Sequence, residues 1–223
     1  MKTFAIIPAG GKGKRSGNVI PKQFIKLGGK ELIIYTLEIF QKNNLIDEIV
    51  VASDPAYFKL LEELKGKYKL TKLNLIVKGG KERQDSVFNA LKSIEAKTND
   101  LVAVHDAARP LLPDEVLTSA INTAKLKGNA VVCIKAGDTI VKGNNKVKEY
   151  IDRGNIYYVQ TPQIFKYSVL MRAMKKAYSE KFYGTDESML VKRSGKQVNI
   201  VEGSLLNFKI TTKADIELFR KLI

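Results

Sequence analysis

The residues best suited to chemistry crowd near the amino terminus. Pro8-Ala9-Gly10-Gly11-Lys12-Gly13-Lys14-Arg15-Ser16-Gly17 puts four glycines into eight positions with three cations among them. Backbone amides in such a loop can approach phosphate oxygens closely, because glycine has no Cβ and tolerates positive φ. No glycine stands five positions before a Gly-Lys pair, and the Gly11, Gly13, Gly17 spacing misses the dinucleotide pattern by one residue. On the glycines alone, a tight turn with solvated lysines serves equally well; the cations and the place after an apolar run argue for an anion cradle. Pro21-Lys22-Gln23-Phe24 follows, a lysine between a φ-locked proline and an apolar anchor, which can act as a point charge on a phosphoryl group. A second segment, Gly79-Gly80, reads by itself as an ordinary turn.

Metal chemistry is narrowed by scarcity. Cys133 is the one cysteine and His105 the one histidine, so an internal disulfide and a Cys/His zinc site are both excluded. Any metal must be held by oxygen. Asp106, one residue past the apolar run Leu101 to His105, is the candidate ligand for a magnesium ion, with a loop-capping aspartate as the plainer alternative. Cys133 lies within an apolar run and reads as a small buried hydrophobe.

These residues need a scaffold. Phe4 to Ile7, Ile49 to Ala52, Leu73 to Val77, Leu101 to His105 and Ala130 to Ile134 read as buried strands. Between them Leu32, Ile33, Leu37 and Phe40, then Val87, Ala90, Leu91 and Ile94, then Val116, Leu117, Ala120, Ile121 and Ala124 recur at helical spacing. The alternation predicts an open, doubly wound α/β sheet, mostly parallel, whose ligands bind beyond the carboxyl ends of its strands. Thr139 to Lys142, a turn at Gly143-Asn144-Asn145 and Val147 to Ile151 read as a β-hairpin. A lone hairpin is marginal in water, so this one is expected to pack against either the parent domain or a second copy of the chain, the second copy being preferred. Further expectations are a strand over Ile156 to Val159, helices over Ser168 to Tyr178 and Asp186 to Arg193, strands over Val198 to Val201 and Phe208 to Ile210, and a last helix opened by Thr212-Lys213-Ala214-Asp215.

At 223 residues, with 44% hydrophobic and 27% charged residues, the chain is expected to form one domain over 1–223, with 137–155 as an excursion. No apolar run nears the roughly 20 residues of a membrane span. The opening Met1-Lys2-Thr3-Phe4-Ala5-Ile6-Ile7 meets Pro8 with no small-residue cleavage site, so a cytoplasmic protein is expected, with no membrane partner. The net charge of +15 suits polyanions, including nucleic acid. However, the lysines are spread without a basic block or aromatic interleaving, which argues against specific nucleic-acid binding.

Pro8-Ala9-Gly10-Gly11-x-Gly13-x-Arg15 with Pro21-Lys22-Gln23 resembles the sugar nucleotidyltransferases, which join a nucleoside triphosphate to a sugar or polyol phosphate. The later motifs narrow the resemblance. Gly79-Gly80-x-x-Arg83-x-x-Ser86-Val87, Val104-His105-Asp106-Ala107-Ala108-Arg109-Pro110, Asp138-Thr139, Asp152-Arg153, Gln160-Thr161-Pro162-Gln163, Thr185-Asp186-Glu187 and Asn207-Phe208-Lys209-Ile210-Thr211 together resemble the 2-C-methyl-D-erythritol 4-phosphate cytidylyltransferase family over nearly the whole chain. The ribitol 5-phosphate cytidylyltransferases, which share fold and first loop, typically carry another dipeptide after His-Asp and a cysteine where Glu187 stands.

The resemblance implies a Rossmann-like fold with a protruding β-hairpin dimerisation arm. It implies a reaction between CTP and 2-C-methyl-D-erythritol 4-phosphate, dependent on magnesium or another divalent cation, in the non-mevalonate route to isoprenoids. By it, Arg15 and Lys22 stabilise the transition state, and Arg153 and Lys209 position the acceptor phosphate. Ala9, Gly10, Gly11, Gly13, Gly80, Lys81, Ser86, Asp106 and Ala107 bind the nucleotide, with Asp106 on the metal. Arg109, Thr139, Thr161 and Thr185, with Arg153 and Lys209, contact the acceptor; Thr139 and Arg109 are supplied across a dimer interface through the arm. Some relatives carry an acid just before the asparagine of Asn-x-Lys, where this chain has Leu206. His105 needs no proton-transfer role, since a phosphate monoester is already largely ionised at neutral pH, and it reads as a strand-end packing residue.

Overall fold

Phe4, Ala5, Ile6 and Ile7 are apolar in unbroken succession, the pattern of a strand covered on both faces. In the computed structural model, which describes residues 1–11 and 20–223, they lie in β1 (Thr3–Pro8). A short hairpin, β2 (Lys26–Leu27) and β3 (Lys30–Glu31), leads into α1 (Leu32–Lys42). Strands and helices then alternate: β4 (Glu48–Ser53), α2 (Phe58–Lys67), β5 (Leu73–Lys78), α3 (Arg83–Ser93), β6 (Leu101–Val104), α4 (Asp114–Lys127) and β7 (Asn129–Lys135). The chain continues through β8 (Ile140–Gly143), β9 (Val147–Ile151), β10 (Tyr157–Lys166), α5 (Tyr167–Ser179), α6 (Glu187–Arg193), β11 (Ile200–Glu202) and α7 (Lys213–Leu222).

Among the described residues, seven strands form one sheet in the order β11-β7-β10-β6-β1-β4-β5, and every neighbouring pair is parallel except those made by β10. The two-residue period of the strands sorts the core. Ala5, Ile7, Ile49, Val51 and Ala103 point to the layer of α1, α2 and α4, while Phe4, Ile6, Val50, Val102 and Val104 point to that of α3, α5 and α6. The loops after β1, β4, β5 and β6 therefore open at one edge, where the winding direction reverses. Among the described residues, no helix is long and apolar enough to cross a membrane.

Most expected elements form, and the departures have physical reasons. Helix α2 escapes the periodicity because only Leu61 and Leu64 of it are buried, a stripe too short to register. The strand expected over Ile156 to Val159 extends to Lys166 and runs antiparallel to both neighbours. Its register against β7 shifts between Val159 and Gln163, and this irregularity accommodates Pro162 inside the sheet. Phe208 to Ile210 is no strand: Ile210 N–H donates to Ala108 O at 2.9 Å, but no ladder follows. The arm strands β8 and β9 pair with each other in a separate two-stranded sheet, with Val141, Val147 and Tyr150 exposed.

Helix α7 closes over the base of the loop edge. Phe219 is fully buried, edge-on to Tyr35 at 5.1 Å, and Thr212 and Asp215 form a reciprocal capping box. Burial pushes the Asp215 carboxyl up, but hydrogen bonds from Thr211 and Thr212 outweigh it and hold its pKa below the ordinary value. A depressed folded-state pKa means this stabilisation is complete above the unfolded value of about 3.9 and is lost as pH falls through the folded value. Thr212→Ala is expected to cost about 1 kcal/mol of stability. Asp215→Asn is expected to flatten the loss of stability as pH falls below about 4, relative to the parent, measured by urea unfolding; identical pH slopes in that range would contradict this account of the cap.

Candidate functional site

Two glycine segments face each other across the loop edge. Leaving β1, Ala9 donates its N–H to Ala52 O at 2.7 Å, and the buried Gln23 amide donates to Ala9 O at 2.5 Å and Gly11 O at 3.1 Å. Gln23 thus clamps the start of the first glycine loop from a 3-10 turn (Lys22–Phe24), whose Phe24 stacks on Tyr57 at 4.4 Å. Opposite, Ser86 Oγ accepts from Gly80 N–H at 3.0 Å and donates to Glu82 O at 3.1 Å. A Cβ at Gly80 would lie 2.1 Å from Asp85 Cβ, so only glycine lets this segment close onto the first turn of α3. Beta carbons on Gly10 and Gly79 would come within 3.4 and 3.3 Å of the same Ser86 hydroxyl, which therefore sits between the two segments.

The floor is an ion cluster. Asp106, buried just past β6, takes Arg83 Nε on Oδ1 at 2.9 Å and Lys209 Nζ on Oδ2 at 2.8 Å, with Arg109 Nε 3.7 Å from Oδ2. Arg83 also reaches Glu187 Oε1 with Nη1 at 2.7 Å. Burial pushes the Asp106 carboxyl up, yet Arg83, Lys209 and Arg109 overcome it and hold the group ionised, far below the carboxylate range. Burial likewise opposes the charge on Arg83, and Glu187 and Asp106 win, raising its pKa. Three cations meet two carboxylates, so the floor carries a positive surplus before Lys22 and Lys81 are added. Among the described residues, Arg83 Nη2 and Arg109 Nε are buried without a hydrogen-bond partner.

Behind the floor stands His105. It is fully buried, tilted against Phe40, and burial pulls its pKa down to about 4. Its Nε2 lies 3.1 Å from Arg109 O, an atom that can only accept, so Nε2 carries the proton. Nδ1 then accepts from Thr161 Oγ1 at 3.1 Å, and Thr161 Oγ1 accepts from Asp106 N–H at 3.1 Å. The neutral ring joins the turn bearing Arg109 to the irregular stretch of β10 and fixes Asp106 between them. Cys133 is buried and its thiol is pushed up to about 11 by burial, in keeping with an inert core residue.

An open cleft of about 1430 Å³ is lined by Ala9, Gly10, Gly11, Lys22, Gly80, Lys81, Ser86, Asp106, Ala107 and Lys209, all expected site residues, together with Arg83. Lys22 is half-buried and donates from Nζ to Ile210 O at 2.6 Å. Thr185 is exposed on a smaller adjoining hollow that shares Lys81 and Arg83 with the cleft. Thr161 supports Asp106 from behind, with its hydroxyl engaged on both sides. Arg109, expected to serve a partner, is turned onto its own chain's Asp106 and donates to Asn207 O at 2.6 Å. Thr139 and Arg153, both exposed on the arm, line neither cavity of their own chain; Arg153 instead bonds Gly137 O at the arm's base. Gly13 and Arg15 lie outside the described residues. Arg83 and Glu187 were not expected as site residues, and the available signal was their place in the second glycine motif and in Thr185-Asp186-Glu187. Among the described residues, no group of three or more His, Cys, Asp or Glu gathers to hold a metal ion.

The family model for 2-C-methyl-D-erythritol 4-phosphate cytidylyltransferase matches residues 3–222. A protein of that name from Clostridioides difficile (strain 630) is 40% identical over 222 residues, covering 98% of this chain and 92% of that one. Another, from Geobacter metallireducens, is 39% identical over 228 residues, covering 100% and 98%. The crystal structure of the Francisella tularensis 2-C-methyl-D-erythritol 4-phosphate cytidylyltransferase superposes with a TM-score of 0.84 at 33% identity, over 100% of both chains. With its paired glycine walls and cationic floor at the reversal of the sheet, the chain belongs to the 2-C-methyl-D-erythritol 4-phosphate cytidylyltransferase family.

Proposed function

We propose that the protein transfers the cytidylyl group of CTP to 2-C-methyl-D-erythritol 4-phosphate, releasing pyrophosphate and forming 4-diphosphocytidyl-2-C-methyl-D-erythritol for isoprenoid synthesis. The observation that carries this reading is the positive surplus around Asp106, with Lys209 and Lys22 on one cleft between two glycine segments. An acceptor phosphate oxygen forms a bond to the α-phosphorus, and the bond from that phosphorus to the bridging oxygen of the β-phosphate breaks. Two polyanions must be held together while charge grows on the equatorial oxygens, so fixed cations and amides lower the barrier. Lys22 and Arg15 are assigned to those oxygens, and Lys209 and Arg153 to the acceptor phosphate. The orphaned donors of Arg83 and Arg109 are compatible with anions that complete the cluster.

On this reading Ala9, Gly10, Gly11, Gly13, Gly80, Lys81, Ser86 and Ala107 receive the nucleotide. A divalent cation, magnesium or another, would be held by Asp106 with the nucleotide phosphates. A single carboxylate with phosphates is a donor set magnesium commonly uses, so Asp106 fits in kind; its oxygens are engaged by Arg83 and Lys209, so the ion would share one of them, and Leu206 offers no second oxygen side chain. When bound, the ion neutralises charge on the triphosphate. Thr161, Thr185, Arg109 and Thr139 are assigned to the acceptor site. The chain is proposed to work as one catalytic domain over 1–223, with 137–155 as an arm that brings Thr139 and Arg153 to a second copy in a homodimer. A cytoplasmic setting, where nucleoside triphosphates are at hand, is part of this reading.

A pyrophosphate-release assay pairing CTP or UTP with methylerythritol phosphate or ribitol phosphate tests both specificities; turnover only with CTP and methylerythritol phosphate is expected, and a preference for ribitol phosphate would move the chain to the sister activity. Lys22→Ala is expected to lower kcat about 100-fold or more with an unchanged unfolding midpoint, because it removes charge from the cleft and little volume from the core. Near-normal turnover would remove Lys22 from the mechanism. Deleting the arm tip, Gly143 to Asn145, is expected to weaken acceptor binding and dimerisation together, read by acceptor KM and sedimentation; a fully active monomer would contradict the role given to the arm.

A further inference from the structure

Lys209 must meet a phosphate at a defined point, yet it lies in the loop between β11 and α7, outside any strand or helix. Bonds on either side of it hold that loop. Upstream, Asn207 is fully buried, and its Nδ2 donates to Gln160 Oε1 at 3.1 Å and Thr161 O at 2.8 Å. Its backbone oxygen accepts from Arg109, and Gln160 Nε2 donates to Ser204 O at 2.9 Å. Both amide orientations are forced. Ser204 O and Thr161 O can only accept, so Gln160 must turn Nε2 to the first and Asn207 must turn Nδ2 to the second, leaving Gln160 Oε1 for the other Asn207 proton. A Cβ on Gly203 would fall 2.5 Å from Gln160 Oε1 and 2.9 Å from Val132 Cγ1, so the loop approaches β7 and β10 as closely as glycine permits. Downstream, Ile210 is tied to Ala108 and buried against Phe219 and Leu27.

We infer that Asn207 is a positioning residue for the acceptor phosphate, fixing the backbone two residues ahead of Lys209 so that its ammonium is presented to the cleft. This rests on the reading of Lys209 as the cation that holds that phosphate. Asn207 lines neither cavity and acts only through the loop. Ile210, whose carbonyl receives Lys22, is held separately by Ala108 and Phe219, so loosening Asn207 leaves Lys22 and the glycine walls in place and the damage falls on the acceptor and spares CTP. Asn207→Asp keeps the shape but turns a carboxylate oxygen toward two acceptors, and so carries the same defect.

Steady-state kinetics on the full chain with CTP and methylerythritol phosphate test this. Asn207→Ala is expected to raise the acceptor KM about tenfold or more with the CTP KM within about twofold. Asn207→Ala in a Lys209→Ala background is expected to add almost nothing, because both changes remove one function. Gln160→Ala, which removes one of the two Nδ2 acceptors and the Ser204 tether, is expected to raise the same KM by less; if Asn207→Ala does not fold, Gln160→Ala with Lys209→Ala completes the same cycle. Additive losses in the double variant, or equal increases in both KM values, overturn the inference while leaving the function of Lys209 intact. A normal acceptor KM in Lys209→Ala overturns the assignment of Lys209 and the inference with it.

Discussion

Asp106 is a buried carboxylate, and it can stay charged there only because cations from three different segments converge on it. Burying an unpaired ion costs several kcal/mol even after relaxation. Arg83 comes from the first turn of α3, Arg109 from the turn after β6, and Lys209 from the loop before α7. Glu187, at the first turn of α6, supplies the counter-charge that lets Arg83 be buried as well. The cluster ties four separate parts of the chain to one end of the sheet. Losing Asp106 or Arg83 would leave a buried charge stranded, so this edge is held by electrostatics where the rest of the sheet is held by packing.

The division of labour among the cations follows from their chemistry. Arg83 must satisfy two carboxylates at once, and a planar guanidinium can present Nε to Asp106 and Nη1 to Glu187 in fixed directions. Lys209 is the most exposed of the three, with 38% of its side chain accessible, and its flexible stem suits a point charge that exchanges one anion for another. The rigid forks therefore stay with the protein, and the more exposed ammonium is the one that the proposed reading gives to the acceptor phosphate.

Much of this was legible in the residues. The unbroken apolar runs and the helical spacing between them locate β1, β4, β6, β7 and three of the covering helices, because each is buried deeply enough to impose its period; β5 is legible as an apolar run although it lies at the sheet edge, with Leu73 its one buried residue. Helix α2 was not legible, since its two buried leucines make no sustained stripe. The antiparallel course of β10 was hidden for a different reason: strand direction leaves no trace in composition, and Pro162 masks the continuity of the strand. At the site, the glycines, Lys22, Asp106 and Lys209 could be named from motifs. The bridge from Arg83 to Glu187 spans 104 positions, and no local pattern signals which distant carboxylate will meet a given arginine. Thr161 can be named from its motif, but the engagement of its hydroxyl between His105 and the Asp106 backbone cannot, because that depends on the irregularity in β10.

The histidine shows how the reaction can dispense with a protein base. Both nitrogens of His105 are engaged, one donating to Arg109 O and one accepting from Thr161, and burial keeps the ring neutral with a pKa near about 4. A group so bound has no free lone pair to offer a substrate. None is required, because a phosphate monoester loses its second proton near pH ~6 and arrives as its own nucleophile. What such a nucleophile lacks is a reason to approach a triphosphate of like charge. On the proposed reading the cations and amides of the cleft answer that need, and His105 serves them by tying the Arg109 backbone, through Thr161, to that of Asp106.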